Sequence, residues 1–445
     1  GRVAGGYHGG CAMSGYAEYR EVNLPWLKAV PAHWEIRRNK NIFTEQKEIV
    51  GERSADYTLL SLTLNGIIPR DMDGGGKFPE SFDKYKIVKN GDMAFCLFDI
   101  DETPRTVGLS GYNGMLTGAY TIMRVSNINA RFIYYYYLAL DNGKMLRPLY
   151  TGLRKTININ TFQSTKVPVP PREEQDQIVR FLDWKVSGIN RLIAIKKQRR
   201  ALIFDLIQLH LFSDDVSQSS IGRIEAAFPE HWKSIKARRI FSERIEKGHT
   251  EDELLAVTQD KGVVFKKDCD SHYVQPSNFE SQKLVYPGDF IISLRSFQGG
   301  IEHSRIKGLV SAAYTVMELN PSYSRIEEYY GFLFKSKPFI QYLNSCVNDI
   351  RDGKKIGYKD FRDCPLPIPP VRTLEKINIL RKEYDKATEE LNRCTSLLHE
   401  LRTRLISDVV TGKIDVRSIE IPEYEFVDED IDNADENPEQ GADEP

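Results

Sequence analysis

The chain has 445 residues, 41% of them hydrophobic, which is enough for two or three domains with real cores. No apolar run approaches the roughly 20 residues that span a bilayer. The six scattered cysteines argue against a zinc knuckle or a disulfide framework and favour a reducing cytoplasm. The net charge of −2 conceals an acidic end: residues 418–445 hold twelve Asp and Glu and no Lys or Arg, so the rest of the chain carries +10, which permits a nucleic-acid partner.

The first part of the chain predicts a leader and a first domain. Residues 1–20 are expected to be a leader or an expression remnant, because the first dozen lack the apolar segment of a signal peptide. Residues 21–169 are predicted to form a mixed α/β domain. Its motifs are Val-Pro-Ala-His-Trp (30–34) near the start and Val-Pro-Val-Pro-Pro (167–171) at the end. Gly91-Asp92 is typical of a turn that leads into a strand.

A first long helix is predicted over residues 170–213. Pro170-Pro171 followed by carboxylates fits the chemistry of helix initiation. Apolar residues then recur at spacings of three and four, which predicts a seam that packs on another helix. Lys196 and Arg200 interrupt this seam and could fix its register. The apolar seam residues are Leu182, Val186, Ile189, Ile193 and Ile203.

The second half of the chain repeats the first about 200 residues later. After a linker at 214–224, residues 225–368 are predicted to form a second domain with Phe-Pro-Glu-His-Trp (228–232) near its start. Leu-Pro-Ile-Pro-Pro (366–370) closes it. The motifs match while the loops between them differ in length, as expected of two readers on one scaffold; drift after an old duplication is the alternative. His33 and His231 each precede a Trp, which favours a structural role over catalysis.

A second long helix is predicted over residues 369–417. Its heptad pattern is more regular than that of the first helix and indicates a coiled coil. Each helix has about 40 residues and would be roughly 60 Å long. We expect the two to pair antiparallel under an approximate two-fold axis; the alternative is that each packs on its own domain. The seam residues are Ile377, Leu380, Leu391, Leu398 and Leu401.

The acidic end, residues 418–445, is predicted to be a disordered tail, because it is too acidic and too poor in core-forming residues to fold alone. A solubilising role is the simpler interpretation. A role in shielding the basic surface is the alternative.

Taken in order, these motifs resemble the specificity subunit of Type I restriction–modification systems over residues 25–417. The first junction, Pro168-Val-Pro-Pro-Arg-Glu-Glu-Gln-Asp-Gln-Ile178, fits the family pattern closely. The second junction departs from it, since Thr373-Leu374 replaces the Glu-Gln pair. Residues 405–416, Leu-Ile-Ser-Asp-Val-Val-Thr-Gly-Lys-Ile-Asp-Val, resemble the ending of the family's second helix.

The resemblance implies an α+β fold with two tandem mixed α/β target recognition domains, each followed by a long helix. Each domain would read one half of a split double-stranded DNA sequence, and the helix pair would set the gap between the halves. The helices would also dock two modification subunits, which bind S-adenosylmethionine and methylate adenine. Restriction subunits, ATP-driven translocases with a nuclease, would join them, with Mg²⁺ expected on the partners. This chain itself would be non-catalytic and cytoplasmic, with no cofactor or metal.

Candidate DNA contacts are basic residues at matched places in the two copies, because base edges and phosphates are read mainly by such side chains. Basic, glycine-containing loops precede the end of each domain, and a second basic pair of segments follows each His-Trp motif. Solvated loops and a polar strand face are the competing interpretations. The candidates are Arg154, Lys155, Lys354, Lys355, Arg38, Lys40, Lys236, Arg238 and Arg295.

Two other functions compete with DNA reading as interpretations of this sequence. A structural adaptor would carry two protein-binding domains on a coiled-coil rod and have no DNA role. An enzyme is disfavoured, because the sequence has neither the Asn/Asp-Pro-Pro-aromatic motif of adenine methyltransferases nor a Walker A loop or a metal-binding histidine pattern.

Overall fold

The computed structural model describes residues 14–64, 66–70, 79, 81–150, 155–212, 228–229, 231–259, 261–269, 279–294, 296–345 and 356–428. Its internal contacts divide the chain into two units. Unit 1 comprises residues 1–194 with 393–445, and unit 2 comprises residues 195–392. The predicted linker at 214–224 lies outside the described residues.

Unit 1 is built from short antiparallel strands and the first three helices. Its strands are β1 (Tyr19–Leu24), β2 (Leu27–Pro31), β3 (Glu35–Arg38), β4 (Phe43–Gln46), β5 (Leu60–Thr63), β6 (Gly66–Pro69), β7 (Lys86–Val88), β8 (Asp92–Phe95), β9 (Val107–Leu109), β10 (Gly114–Leu116), β11 (Thr121–Val125) and β12 (Lys166–Val169). The helices are α1 (Ala130–Asn142), α2 (Ile159–Ser164) and α3 (Arg172–Leu211), of which α3 continues into unit 2.

Unit 2 is likewise built from short antiparallel strands and helices. Its strands are β13 (Lys233–Lys236), β14 (Phe241–Arg244), β15 (Leu255–Thr258), β16 (Gly262–Phe265), β17 (Lys283–Val285), β18 (Phe290–Ile292), β19 (Glu302–His303), β20 (Gly308–Val310), β21 (Thr315–Leu319) and β22 (Pro365–Ile368). Its helices are α4 (Ser296–Gly299), α5 (Glu327–Leu333), α6 (Lys337–Ser345), α7 (Tyr358–Phe361) and α8 (Val371–Val410), of which α8 continues into unit 1.

The strand order repeats between the units. Unit 1 has a four-stranded antiparallel sheet in the order β4-β11-β8-β9, and unit 2 has one in the order β14-β21-β18-β19. The ribbons β3–β12, β5–β6 and β7–β10 correspond to β13–β22, β15–β16 and β17–β20, whereas β1–β2 belongs to unit 1. The predicted fold class, α+β with two mixed α/β domains each followed by a long helix, is therefore confirmed.

Clusters of aromatic rings fill both cores. Ring pairs in each set lie edge-on or tilted, an arrangement that aromatic pairs favour, with centroid separations such as 5.6 Å for Phe43–Phe95 and 5.2 Å for Phe241–Phe290. Each core therefore has its own aromatic centre, although one ring has moved along its strand: Phe290 directly follows Asp289, whereas Phe95 is three residues after Asp92. The rings are Phe43, Phe95, Tyr137 and Phe162 in unit 1 and Phe241, Phe290, Tyr330 and Phe361 in unit 2.

A glycine-aspartate turn precedes a central strand in each unit, as predicted. Gly91 and Gly288 have φ values of 88° and 94°, which favour glycine because it lacks a Cβ. The next residue, Asp92 or Asp289, is buried and accepts a hydrogen bond from a backbone amide three residues earlier. Each aspartate thereby closes its own turn.

The arginine that neutralises this aspartate comes from different strands in the two units. In unit 1, Arg124 of β11 donates to Asp92 at 3.1 and 3.3 Å. In unit 2, Arg244 of β14 donates to Asp289 at 3.0 and 3.3 Å and also pairs with Glu318 on β21 at 2.8 Å. A buried carboxylate needs a cationic partner. Both units therefore keep an arginine beside the aspartate, but it stands on β11 in unit 1 and on β14 in unit 2.

Within unit 2 the long helices run antiparallel. Lys196 and Arg199 of α3 bind Glu390 of α8 at 3.3 and 2.9 Å, and further along α3 the ring of Phe204 lies 6.0 Å from that of Tyr384. Residues later in α3 therefore contact residues earlier in α8. The hydrogen bond from Lys196, with the charge of Arg199, holds the pKa of Glu390 below its usual range. The polar step in the seam is thus occupied by an ion pair.

The apolar seam is buried at most of its predicted positions. Leu401 is the exception, since 53% of it is exposed. The last turns of α8 instead bury the adjacent pairs Leu405–Ile406 and Val409–Val410 in the core of unit 1, so the buried face is wider than a heptad seam at this end. The positions that are fully or partly buried are Leu182, Val186, Ile189, Ile193, Ile203, Ile377, Leu380, Leu391 and Leu398.

The second helix ends at Val410, seven residues before the predicted boundary at 417. Gly412 has a φ of 76°, and the amide of Lys413 donates to the Asp408 carbonyl at 2.8 Å, which satisfies the helix end. A Cβ at Gly412 would lie 2.4 Å from Cδ of Pro31, so close packing also requires glycine there. Residues 411–417 leave the helix for this reason.

Both predicted unstructured ends need correction. Residues 14–20 are no leader, because Tyr16 is 6% exposed and Tyr19 starts β1. Residues 418–428 are not a disordered tail, because their backbone is hydrogen-bonded to α3 and Ile419 and Ile421 pack against the core of unit 1. Residues 1–13 and 429–445 lie outside the described residues.

Candidate nucleic-acid interface

The predicted loop contacts are only partly described. Arg154, Lys354, Lys355 and Arg295 lie outside the described residues, so they stay predictions. Lys155 is described, with 43% of its side chain exposed, and its Nζ lies 3.3 Å from Glu102 and 3.7 Å from Asp101. Lys155 therefore ties the end of its loop to the segment before β9 as well as presenting a charge.

Asp101 collects several partners beside this loop. Its carboxylate accepts hydrogen bonds from Arg147 at 2.8 Å and from the Tyr150 hydroxyl at 3.1 Å. Burial alone would raise the pKa of Asp101, but these hydrogen bonds and the charges of Arg147 and Lys155 hold it below its usual range. The base of the loop is thus fixed by a charged anchor, which sequence spacing did not indicate.

The β3–β12 ribbon of unit 1 presents an unneutralised group of cations. Arg38 and Lys166 are cross-strand partners, and Lys40 follows two residues after Arg38. All three side chains are exposed, and none forms an ion pair within the described part of the chain. Residues directly opposite in an antiparallel ribbon have side chains close together, so the positive charges concentrate at one place.

The equivalent β13–β22 ribbon of unit 2 is differently charged. Lys236 and Arg238 occupy the places of Arg38 and Lys40, but both bind the carboxylate of Asp363, at 3.4 and 2.5 Å. Lys236 faces Pro365 across the ribbon, where unit 1 has Lys166. The two predicted basic segments therefore have the same backbone position and different electrostatics.

We expect two opposite substitutions, Asp363→Ser and Ser164→Asp at its counterpart, to change DNA affinity in opposite directions. Asp363→Ser frees Lys236 and Arg238, so a ribbon that contacts duplex DNA should bind it about fivefold more tightly and with a steeper salt dependence, since each added phosphate contact adds about 0.9 to the slope. Ser164→Asp should weaken binding by a similar factor. Filter-binding titrations over a salt series measure both. If both variants change DNA affinity in the same direction, or if neither changes it, these ribbons are not part of the DNA interface.

Sequence comparison of the two copies missed Lys166, Ser164 and Asp363. The detectable signal was that an acid stands two residues before the second closing strand where the first copy has serine. Its importance depends on the pairing of β3 with β12 and of β13 with β22, which join segments about 130 residues apart.

The His-Trp motif of unit 1 surrounds a buried carboxylate. Glu174, on the first turn of α3, is 5% exposed and accepts from the Tyr16 hydroxyl at 2.6 Å and from Nε1 of Trp34 at 2.9 Å; Nε2 of His33 lies 2.7 Å away. Burial and the bond to Glu174 raise the pKa of Tyr16. This network joins the start of the domain to its helix, which gives His33 a structural role.

Among the described residues of unit 2, the equivalent network is missing. Thr373 stands at the place of Glu174, His231 is exposed, and Trp232 is partly buried against Phe228 and Tyr329. The departure at the second junction therefore replaces a polar attachment by an aromatic one.

The described parts of both units contain no group of three His, Cys, Asp or Glu side chains placed to hold a metal ion. Among the same residues, no helix is long and apolar enough to cross a bilayer.

Comparison with known proteins points to one family. Residues 82–203 match the family model described as Type I restriction modification DNA specificity domain. The putative type I restriction enzyme MjaX specificity subunit of Methanocaldococcus jannaschii is 23% identical over 431 residues, which cover 90% of this chain and 98% of the relative. The type I restriction enzyme MjaVIII specificity subunit of the same organism is 22% identical over 434 residues, with the same coverage.

Several solved structures are also similar to this chain. A chain from a study of complex assembly and conformational transition of the type I R-M system has a TM-score of 0.47 and 12% identity, with 86% of this chain and 99% of that chain covered.

The fold is that of a duplicated mixed α/β protein with a long helix after each domain. The similarity in sequence extends over nearly the whole length of both curated relatives. The chain is thus a relative of the specificity subunits of type I restriction–modification systems, and the resemblance drawn from its motifs is confirmed.

Proposed function

We propose that this chain is the non-catalytic DNA-specificity subunit of a Type I restriction–modification complex. Its recognition domains, residues 21–169 and 225–368, each read one half of a bipartite double-stranded DNA target. The observation that carries this proposal is one strand order, present twice, with ribbons of different charge. A common scaffold with different contact surfaces is what two readers of different half-sites require.

The two long helices set the gap between the half-sites and dock two modification subunits. Support for docking comes from a second apolar face of α3 within unit 2. Ile195, Leu202, Leu206 and Leu209 recur at heptad spacings and are 50–66% exposed. A contiguous exposed apolar row on a helix typically marks a protein–protein contact.

The catalytic groups belong to the partner subunits in this proposal. The modification subunits carry S-adenosylmethionine for adenine-N6 methylation, and the restriction subunits carry ATP and Mg²⁺ for translocation and cleavage. The assembly works in the cytoplasm.

The decisive experiment is a genome-wide map of methylated adenines with the gene intact and deleted. Loss of one two-part motif with a fixed gap is expected, and it would reveal both half-sites. Exchange of residues 25–165 for another recognition domain should then change one half-site, and a heptad added to each helix should change the gap alone. An unchanged map would contradict the proposal and favour an adaptor without a DNA role.

A further inference from the structure

The C-terminal segment after α8 lies along α3 in unit 1. Nε2 of Gln177 donates to the carbonyls of Val416 and Ile419 at 3.1 and 2.8 Å. The Ser187 hydroxyl donates to the Glu425 carbonyl at 3.0 Å and accepts from the Val427 amide at 2.8 Å. These α3 side chains therefore bind the backbone of the segment.

A third polar residue of α3 continues the row. Asn190 donates to the Val427 carbonyl at 3.1 Å, so the amide and the carbonyl of Val427 are both bound by α3. Ser187 and Asn190 are 2% and 6% exposed. Buried polar side chains on a helix need partners, and here the segment supplies them to the Ser187 hydroxyl and to the amide nitrogen of Asn190.

The side chains of the segment contact α1 as well. Arg131 of α1 forms an ion pair with Asp183 of α3 at 2.8 Å, and the ring of Phe426 lies 5.1 Å from its guanidinium. Ile419 and Ile421 pack against the apolar core of the unit. The segment thus touches both the recognition domain and its helix.

From these contacts we infer that α1 and the N-terminal half of α3 form a groove for an extended peptide. Its ligand is the chain's own residues 418–428, which carry four acidic side chains and no basic one. The bound segment clamps the first domain to its helix. Because the polar contacts are to the backbone, the groove selects an extended chain with apolar anchors.

The groove is specific to unit 1. At the equivalent places on α8, Lys386 and Glu389 replace Ser187 and Asn190, and both are exposed. Long charged side chains at a solvated face need no peptide to satisfy them. The groove is therefore no by-product of the repeat, and it stands apart from the proposed reading of DNA.

Hydrogen exchange on the full chain tests the groove without DNA. The Val427 amide should be protected, and Ser187→Ala should speed its exchange about fivefold, since one hydrogen bond is lost. Ala201→Ser, an exposed change elsewhere on α3, should leave that exchange rate unchanged. A Val427 amide that exchanges at the rate of an unstructured peptide in the unaltered chain would overturn the inference.

A peptide binding measurement gives a second test. A chain that ends at Arg417 should bind a labelled synthetic peptide of residues 418–428 at least about tenfold more tightly than the full chain, whose groove is filled. Asn190→Ala in the shortened chain should weaken this binding. Equal binding by the two chains would contradict the inference; if the shortened chain does not melt cooperatively, hydrogen exchange decides alone.

Discussion

Replacement of Glu174 by alanine should destabilise unit 1 by about 3 kcal/mol. The change leaves the buried Tyr16 hydroxyl and Trp34 indole, together with the exposed His33 ring, without their common acceptor. Each unpaired buried donor costs about 1–3 kcal/mol, and the change leaves two of them. Urea unfolding followed by tryptophan fluorescence measures the loss.

The control for this experiment is Glu173→Ala. Glu173 is on the same helical turn and exposed, so its removal should change the free energy of unfolding by less than about 0.5 kcal/mol. Three of the four tryptophans, Trp26, Trp34 and Trp184, lie in unit 1, so the fluorescence reports mainly on that unit. An unchanged urea midpoint for Glu174→Ala would show that the network contributes nothing to stability.

Leu202→Lys combined with Leu206→Lys should strongly weaken the docking of the proposed modification subunits. Both side chains are at least half exposed in the free chain, so folding loses little. In the complex, each buried leucine is expected to contribute about 1.5–3 kcal/mol. The double change should therefore weaken assembly by a factor of at least roughly 150. Sedimentation of the mixed subunits measures this.

Ala201→Lys provides the matched control. Ala201 is exposed on the same helix and lies roughly a third of a turn from the apolar row, so an added charge there should leave assembly intact. The melting temperature of each variant should stay close to that of the unaltered chain. Normal assembly of the double variant would place the docking surface elsewhere.

The sequence predicted the boundaries of the long helices better where they depend on nearby residues than where they depend on distant ones. The Pro170-Pro171 start and the heptad spacing located α3 to within two residues at each end. Such signals are local, because capping and periodicity depend on residues within a few turns. The end of α8 was placed too late, since the stop depends on Gly412 meeting Pro31, a contact across most of the chain.

The charges of the two ribbons also depend partly on local sequence and partly on tertiary contacts. Composition identified the basic residues Arg38, Lys40, Lys236 and Arg238, but their state of pairing followed from strand register. Only the pairing of β13 with β22 brings Asp363 beside Lys236 and Arg238. A charge count of short segments does not reveal such a neutralised surface.

The sequence by itself determined that the chain is a duplication with two mixed domains and two long helices. Matched motifs and heptads record these features directly, because they repeat along the chain. Only the tertiary structure decided how the two copies differ. It formed the carboxylate network around Glu174, left Arg38 and Lys166 of the β3–β12 ribbon without an ion pair among the described residues, and placed residues 418–428 on α3. These depend on contacts between residues far apart in sequence, and acidic composition alone wrongly indicated disorder for that segment because its binding uses backbone groups, which every residue carries.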